Sequence, residues 1–169
     1  MIELLQLAGL KKEMEDVALR LLVFTLAIIL LDQFSKIMVQ QFMHPRQSIV
    51  LIQNFLSFTY LENPGAAFGI FPHRTMLFII ITVAVILFII YYFRNLPHQY
   101  FFMRLGLVLQ LAGAVGNLVD RIRLGHVIDF INLSFWPPVF NVADVAIAVG
   151  IIVFVYSFWK KEITLQEEI

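Results

Sequence analysis

The chain has 169 residues, 60% apolar and only 14% charged, with a mean hydropathy of +0.86 and a formal net charge of zero. Soluble domains carry about 25% charged residues, so an ordinary soluble enzyme is excluded. The lack of a basic field or stripe excludes a nucleic-acid binder, and the absence of cysteine excludes disulfides, thiol nucleophiles and thiolate metal sites.

The first residues mix Glu3, Lys11, Lys12, Glu13, Glu15, Asp16 and Arg20. That is too mixed in sign for the start of a signal peptide, and the apolar run that follows ends in LDQFSK with no small-residue cleavage site. Residues 1–19 are therefore expected to be a disordered or surface-lying lead-in to a retained first span. A hydrocarbon core needs about 20 mostly apolar residues as a helix, because lipid offers no partner to an unpaired backbone group. Four stretches qualify, 17–39, 75–93, 100–119 and 143–159, within a single membrane domain covering 1–169.

The loops 40–74 and 120–142 fall on one side of the membrane and the short RNLPHQY on the other. In the first long loop SIVLIQNFLSFTYLEN is rich in β-branched and aromatic residues, which predicts a hairpin or curved sheet, and NPGAAFG follows as a turn. In the second, Pro137 and Pro138 exclude a helix ahead of the fourth span. The fold class expected is an α-helical integral membrane protein, with four transmembrane helices and a small β-sheet element in the outer loops. The tail EITLQEEI is expected to be a solvated end.

Four spans place both termini on one side, with Lys11, Lys12, Arg20, Arg94, Arg104, Lys160 and Lys161. The other side holds Arg46, Arg74, Arg121 and Arg123. The positive-inside rule then makes the termini cytoplasmic and the long loops external.

The acids lie on the external side. At 1.5 Å rise per residue, Asp120 is roughly 24 Å from Arg104, Asp144 roughly 24 Å from Lys160 and Asp32 roughly 18 Å from Arg20. Asp32 and Lys36 share a helix face at i, i+4, as do Asn117 and Arg121. Any one of these is readily an interfacial residue, snorkelling or complementing a helix dipole. Together they cost about 5 to 10 kcal/mol of insertion energy, which is comparable to a domain's whole stability and argues for a function.

For serine chemistry the outer-side candidates are Ser134 with His126, and they come with no elbow or oxyanion motif. Catalytic zinc has only the scattered His44, His73, His98 and His126. Two carboxylates that approach each other can share a proton and so supply a base and an acid for attack of water on a peptide carbonyl. Asp129 and Asp144 are candidates across a loop that can fold back, and at this point Asp120 remains open as well.

LDQFSK (31–36), NPGAAFG (63–69), GNLVDRIRLGHVIDF (116–130) and FNVADVAI (140–147) resemble, in order and spacing, the four sequence blocks of bacterial lipoprotein signal peptidase, signal peptidase II. The resemblance covers about residues 20 to 160. It implies an aspartic peptidase of the bacterial cytoplasmic membrane that removes signal peptides from prolipoproteins bearing a diacylglyceryl-modified cysteine. The catalytic pair it implies is Asp129 and Asp144, with Asp120 supportive. Asn63, Asn117, Arg121 and Asn141 would line the site and hold substrate or orient the acids, and Asp32 with Lys36 would be the polar pair of the first span. No cofactor, metal or nucleic-acid partner is implied, and the expected partners are prolipoprotein substrate and lipid, with the chain a monomer. Gly69 and Val145 stand where many members have Ser.

Three rivals make distinct predictions. A transporter needs a polar path to the inner face, whereas below Asp32 and Asn117 the second span offers only Thr82 and the third little but Gln110. An aspartate-coordinated metal hydrolase would gather Asp120, Asp129, Asp144 and Glu62. A purely structural membrane protein would tolerate Asp129→Asn and Asp144→Asn.

Overall fold

The computed structural model describes residues 2–65 and 74–167, with side chains described for 16–65 and 74–160. Ala66 to Gly69 of the NPGAAFG block lie outside the described residues. In chain order the elements are α1 (Ile2–Phe42), β1 (Ser48–Ile52), β2 (Leu56–Asn63), α2 (Thr75–Asn95), α3 (Phe101–Leu124), β3 (Val127–Leu133), β4 (Trp136–Phe140) and α4 (Val142–Glu167). Four segments are long and apolar enough to cross a membrane: Asp16–Phe42, Thr75–Asn95, Phe101–Leu124 and Val142–Lys160. Four spans and a small sheet are the expected class.

Two boundaries differ from the expectation. The lead-in is not separate, since α1 starts at Ile2; its leucines, glutamates, lysines and alanines are strong helix formers with no proline among them. α3 runs on to Leu124, so Asp120 and Arg121 sit in its last turns rather than in a loop. Gly125 then ends it at φ 81°, a left-handed conformation that costs glycine little, and its N–H bonds the Arg121 carbonyl.

α3 is the buried centre of the bundle and α4 lies directly against it. Lipid gives helices no hydrophobic drive to associate, so close backbone approach has to supply the packing. A Cβ on Gly106 would lie 2.8 Å from the Gly150 carbonyl oxygen, and one on Gly113 would collide with the Ala143 carbonyl. At Gly116 it would lie 2.6 Å from an Asp32 carboxylate oxygen, so this glycine admits an acid from α1 into the seam. α2 is peripheral, and among its described residues only Ile89 is buried. At the end of the bundle away from the sheet the buried Arg104 donates to the Leu96 carbonyl that terminates α2 (2.8 Å) and lies 4.0 Å over the Phe93 ring.

The four strands form one antiparallel sheet in the order β1-β2-β3-β4. The second long loop thus supplies two strands that the proline pair concealed. Pro137 and Pro138 lie on the edge strand β4, within an irregularity of its pairing with β3, and edges and bulges are where a missing N–H is tolerated. The sheet rests on the helix ends through a core of Val39 from α1 and Met43 just after it with Tyr60, Ile128 and Phe130, flanked by Phe58, Ile131, Leu124 and Val142. Leu61 pairs with Asp129 in the register, which places Asn63 diagonally across from Asp129 on the same face.

Candidate active site

The start of α4 builds half of the site. Asn141 precedes the helix, and its side-chain oxygen accepts the Asp144 N–H (2.9 Å) while its own N–H donates to Asp144 Oδ2 (3.2 Å). This reciprocal cap satisfies donors that a helix start leaves orphaned, and it holds a carboxylate at the positive end of the dipole. Asp144 Oδ1 accepts the Asn117 amide from α3 at 2.8 Å.

The sheet supplies the other half. Asp129 on β3 is 4% exposed; its Oδ1 accepts the Asn141 amide (2.7 Å) and its Oδ2 the Asn63 amide (2.9 Å). Asn141 therefore touches both acids, one through its side-chain amide and the other through its backbone. Burial, and after it the neighbouring Asp144 charge, push the Asp129 carboxyl from 3.8 up to about 7, against the lowering effect of the two amides. A carboxyl poised there takes and releases protons near neutral pH.

Behind the two acids lies a closed ionic layer. Lys36 Nζ contacts Asp32 Oδ2 (2.9 Å), Asp120 Oδ2 (2.8 Å) and Asn117 Oδ1 (3.0 Å), and Lys36, Asp32 and Asp120 are each at most 2% exposed. The Ala143 N–H donates to Asp32 Oδ1 (2.9 Å) and the Ile128 N–H to Asp120 Oδ2 (3.2 Å). The buried charges are thus paired and hydrogen-bonded, the condition under which such groups persist in a low dielectric. Through Asn117 the layer touches Asp144.

Gln33 was not singled out in the sequence, yet its amide donates to Asp120 Oδ1 (3.0 Å), the Gly116 carbonyl (3.1 Å) and Asp32 Oδ2 (3.2 Å). Its place between Asp32 and Lys36, a polar amide inside a span, was the available signal. Arg121 reaches across to the Gly65 carbonyl (3.3 Å) and the Asn117 carbonyl (3.4 Å), with its guanidinium 5.5 Å over the Phe78 ring. The structure thus brings all nine sequence candidates, Asp32, Lys36, Asn63, Asn117, Asp120, Arg121, Asp129, Asn141 and Asp144, into one region.

Other candidates are not brought together. Ser134 lies at the far turn of the sheet, where its N–H bonds the Phe55 carbonyl, while His126 is at the opposite end of β3, 3.8 Å from Glu62. Asp120 faces Lys36, and Glu62 accepts from the Tyr60 hydroxyl (3.2 Å), so the four acids of the metal rival do not converge. Among the described residues no group of three or more His, Cys, Asp or Glu is arranged to hold a metal ion. A cavity of about 460 Å³ opens beside Asp129 and Asn63 between the α1–β1 turn and the sheet, with Tyr60, Glu62 and Pro138 in its wall.

Residues 24–160 match the family model of signal peptidase (SPase) II. The lipoprotein signal peptidase of Moorella thermoacetica is 44% identical over 132 residues, 78% of this chain and 87% of that protein. That of Caldanaerobacter subterraneus subsp. tengcongensis is 45% identical over 129 residues, 76% and 88% of the respective chains. A bacterial membrane enzyme solved by the in meso method at 2.3 Å resolution superposes with a TM-score of 0.81 at 31% identity, covering 85% of this chain and 89% of that one. With its spans, sheet and polar layer assembled in this way, the chain belongs to the signal peptidase II family of membrane peptidases.

Proposed function

We propose that Asp129 and Asp144 form the catalytic pair of an aspartic endopeptidase that removes signal peptides from diacylglyceryl-modified prolipoproteins. The observation that supports this best is the convergence of amide donors from Asn63, Asn117 and Asn141 on these two carboxylates, with Asn141 touching both. One proton is shared between the acids. The ionised carboxylate takes a proton from water as the water oxygen attacks the scissile carbonyl carbon, and the protonated one gives its proton to the carbonyl oxygen. When the tetrahedral intermediate collapses, the C–N bond breaks, the leaving cysteine nitrogen takes up a proton from the acid that had accepted it from water, and a hydroxyl of the intermediate returns its proton to the other acid, which restores the shared proton. Asn141, Asn117 and the Lys36 layer act as positioning residues. Arg121, whose guanidinium holds the Gly65 carbonyl, is assigned to the substrate backbone, since its fork suits a backbone carbonyl.

The site sits at the ends of α1, α3 and α4 on the sheet side. The distribution of basic residues around the spans puts that side outside the cytoplasmic membrane, with both termini inside. A lipid-modified cysteine fits such a boundary, because its acyl chains stay in the bilayer while the peptide meets polar groups and water. The reading requires no cofactor and no metal, and since one chain supplies every group named, a monomer suffices.

The test is cleavage by purified protein in detergent of a diacylglyceryl-modified prolipoprotein beside its unlipidated form, with and without a chelator. The expected result is cleavage of the lipidated form alone, indifferent to chelator, and abolished in folded Asp129→Asn and Asp144→Asn variants. Retained cleavage by either variant would reject the pair.

A further inference from the structure

The overhanging end of the sheet carries an unguarded apolar surface. The β1–β2 and β3–β4 turns lie at the same end, because Leu56 pairs with Leu133, and they are tied by the Ser134 N–H to the Phe55 carbonyl (3.0 Å). Phe55 and Phe135 pack with ring centroids 5.7 Å apart. Both rings remain exposed, as do Trp136 and all of β1, with Phe135 at 67%, Val50 at 65% and Trp136 at 53%. Successive strand residues point to opposite faces, so Ile49 to Ile52 offer apolar side chains on both. Residues 48–57 and 132–140 contain no charge. An edge strand facing water is normally blunted with charges, and exposed apolar patches of this extent mark an interaction surface.

The position of this end indicates what covers it. The sheet packs on the ends of α1 and α4 through Phe58, Tyr60, Phe130 and Ile131. Residues beyond Phe58 and Ile131 extend past this packed core: β3 runs roughly 13 Å from Asp129 to Leu133 at the usual strand rise before the turn that carries Phe135. Below a sheet laid across helix ends, the space beside the bundle is lipid. α1 itself is exposed and apolar toward the sheet, at Leu30, Phe34 and its last residue Phe42 (76%), so the flank over which the sheet extends has the character of a lipid-facing surface. Tryptophan, phenylalanine and β-branched side chains on a charge-free tip, with Arg46 at its base, match the composition of a membrane–water interface.

We infer that the paired hairpin ends, Ile52, Phe55, Phe135 and Trp136, insert into the lipid leaflet on the sheet side and anchor the strand that carries Asp129 at a fixed depth. This anchor does not depend on the chemistry proposed for the two acids.

Trp136 and Trp159 are the two tryptophans of the chain, and Trp159 is exposed at the opposite end of α4. In Trp159→Phe, reconstituted in vesicles of acyl-brominated phosphatidylcholine, Trp136 should lose most of its emission relative to unbrominated lipid and resist acrylamide. Quenching by acrylamide with no effect of bromine would place the tip in water and overturn the inference. Protection from both quenchers would also overturn it, by showing that protein, a second copy included, covers the tip. Because the chain lacks cysteine, a spin label on Phe135→Cys gives an independent depth: access to oxygen above access to a water-soluble nickel chelate is expected, and the reverse order would refute the anchor.

Discussion

Lys36→Met removes the one cation between Asp32 and Asp120. Three contacts of 2.8 to 3.0 Å disappear from a site that is almost wholly closed to water. Gln33 and two backbone N–H groups remain to face two carboxylates. Removing one partner of a buried ion pair costs about 3–5 kcal/mol, a large share of the roughly 5–15 kcal/mol that typically holds a domain together. For a chain of this size the melting temperature should fall by about 6 to 20 °C, readable by thermal unfolding in detergent. The loss comes from stranded charge rather than from lost packing, so adding Asp32→Asn and Asp120→Asn to Lys36→Met should recover more than half of it. A Lys36→Met protein that melts with the wild type, or a triple variant no more stable than the single one, would refute the account of the layer as a charge-balanced unit.

Asp129 gives a pH signature. Its folded value is raised from 3.8 to about 7, so the folded state holds this proton more tightly than the unfolded chain, and the stability it contributes is complete below 3.8 and lost as pH rises through about 7. Wild-type melting temperature should therefore fall across that window relative to Asp129→Asn, and parallel curves would contradict the raised value. Asn141→Leu removes a helix cap, which costs about 0.5–2 kcal/mol, and frees both acids, so kcat should drop far more than KM changes; an equal loss in binding would assign Asn141 to substrate instead. Gly113→Ala drives a methyl against the Ala143 carbonyl beside Asp144. It should cost about 1–3 kcal/mol and reduce turnover, and a variant as stable and active as wild type would show that α3 and α4 can part freely.

The spans were legible because an uninterrupted apolar run has no other stable arrangement in lipid. Half of the sheet was not: the WPPVF of β4 carries two prolines that read as breakers, and its edge position together with the irregular pairing opposite them makes them compatible with a strand. VIDFINL held a β-branched and aromatic signal that the adjacent charged helix end obscured. The end of α3 was set too early, at 119 where the charges begin, although Gly125, a residue suited to the left-handed stop it adopts, carried the signal. For the site, the polar residues were conspicuous against lipid, but sequence spacing says nothing about which acids meet. That depends on β3 folding back over the helix ends, which places Asp129 beside Asn141 and turns Asp120 toward Lys36. Gln33 was overlooked for a related reason, since an uncharged amide stands out only when the acids it bridges are seen around it.

The glycine seam between α3 and α4 bears on how the protein responds to its membrane. Where Gly106 meets Gly150 and Gly113 meets Ala143, the spacing of the two helices is a backbone-to-backbone distance with no side chain to yield. Bilayers of different thickness make helices tilt, and this pair must tilt as one body, so Asn117 on one helix keeps its place against Asp144 on the other. Strain from hydrophobic mismatch passes instead to α2, where among the described residues only Ile89 is buried against the bundle. Turnover should then stay nearly level across acyl-chain lengths that visibly shift the mean tilt of the bundle, and a steep dependence on thickness would show that the seam does slide.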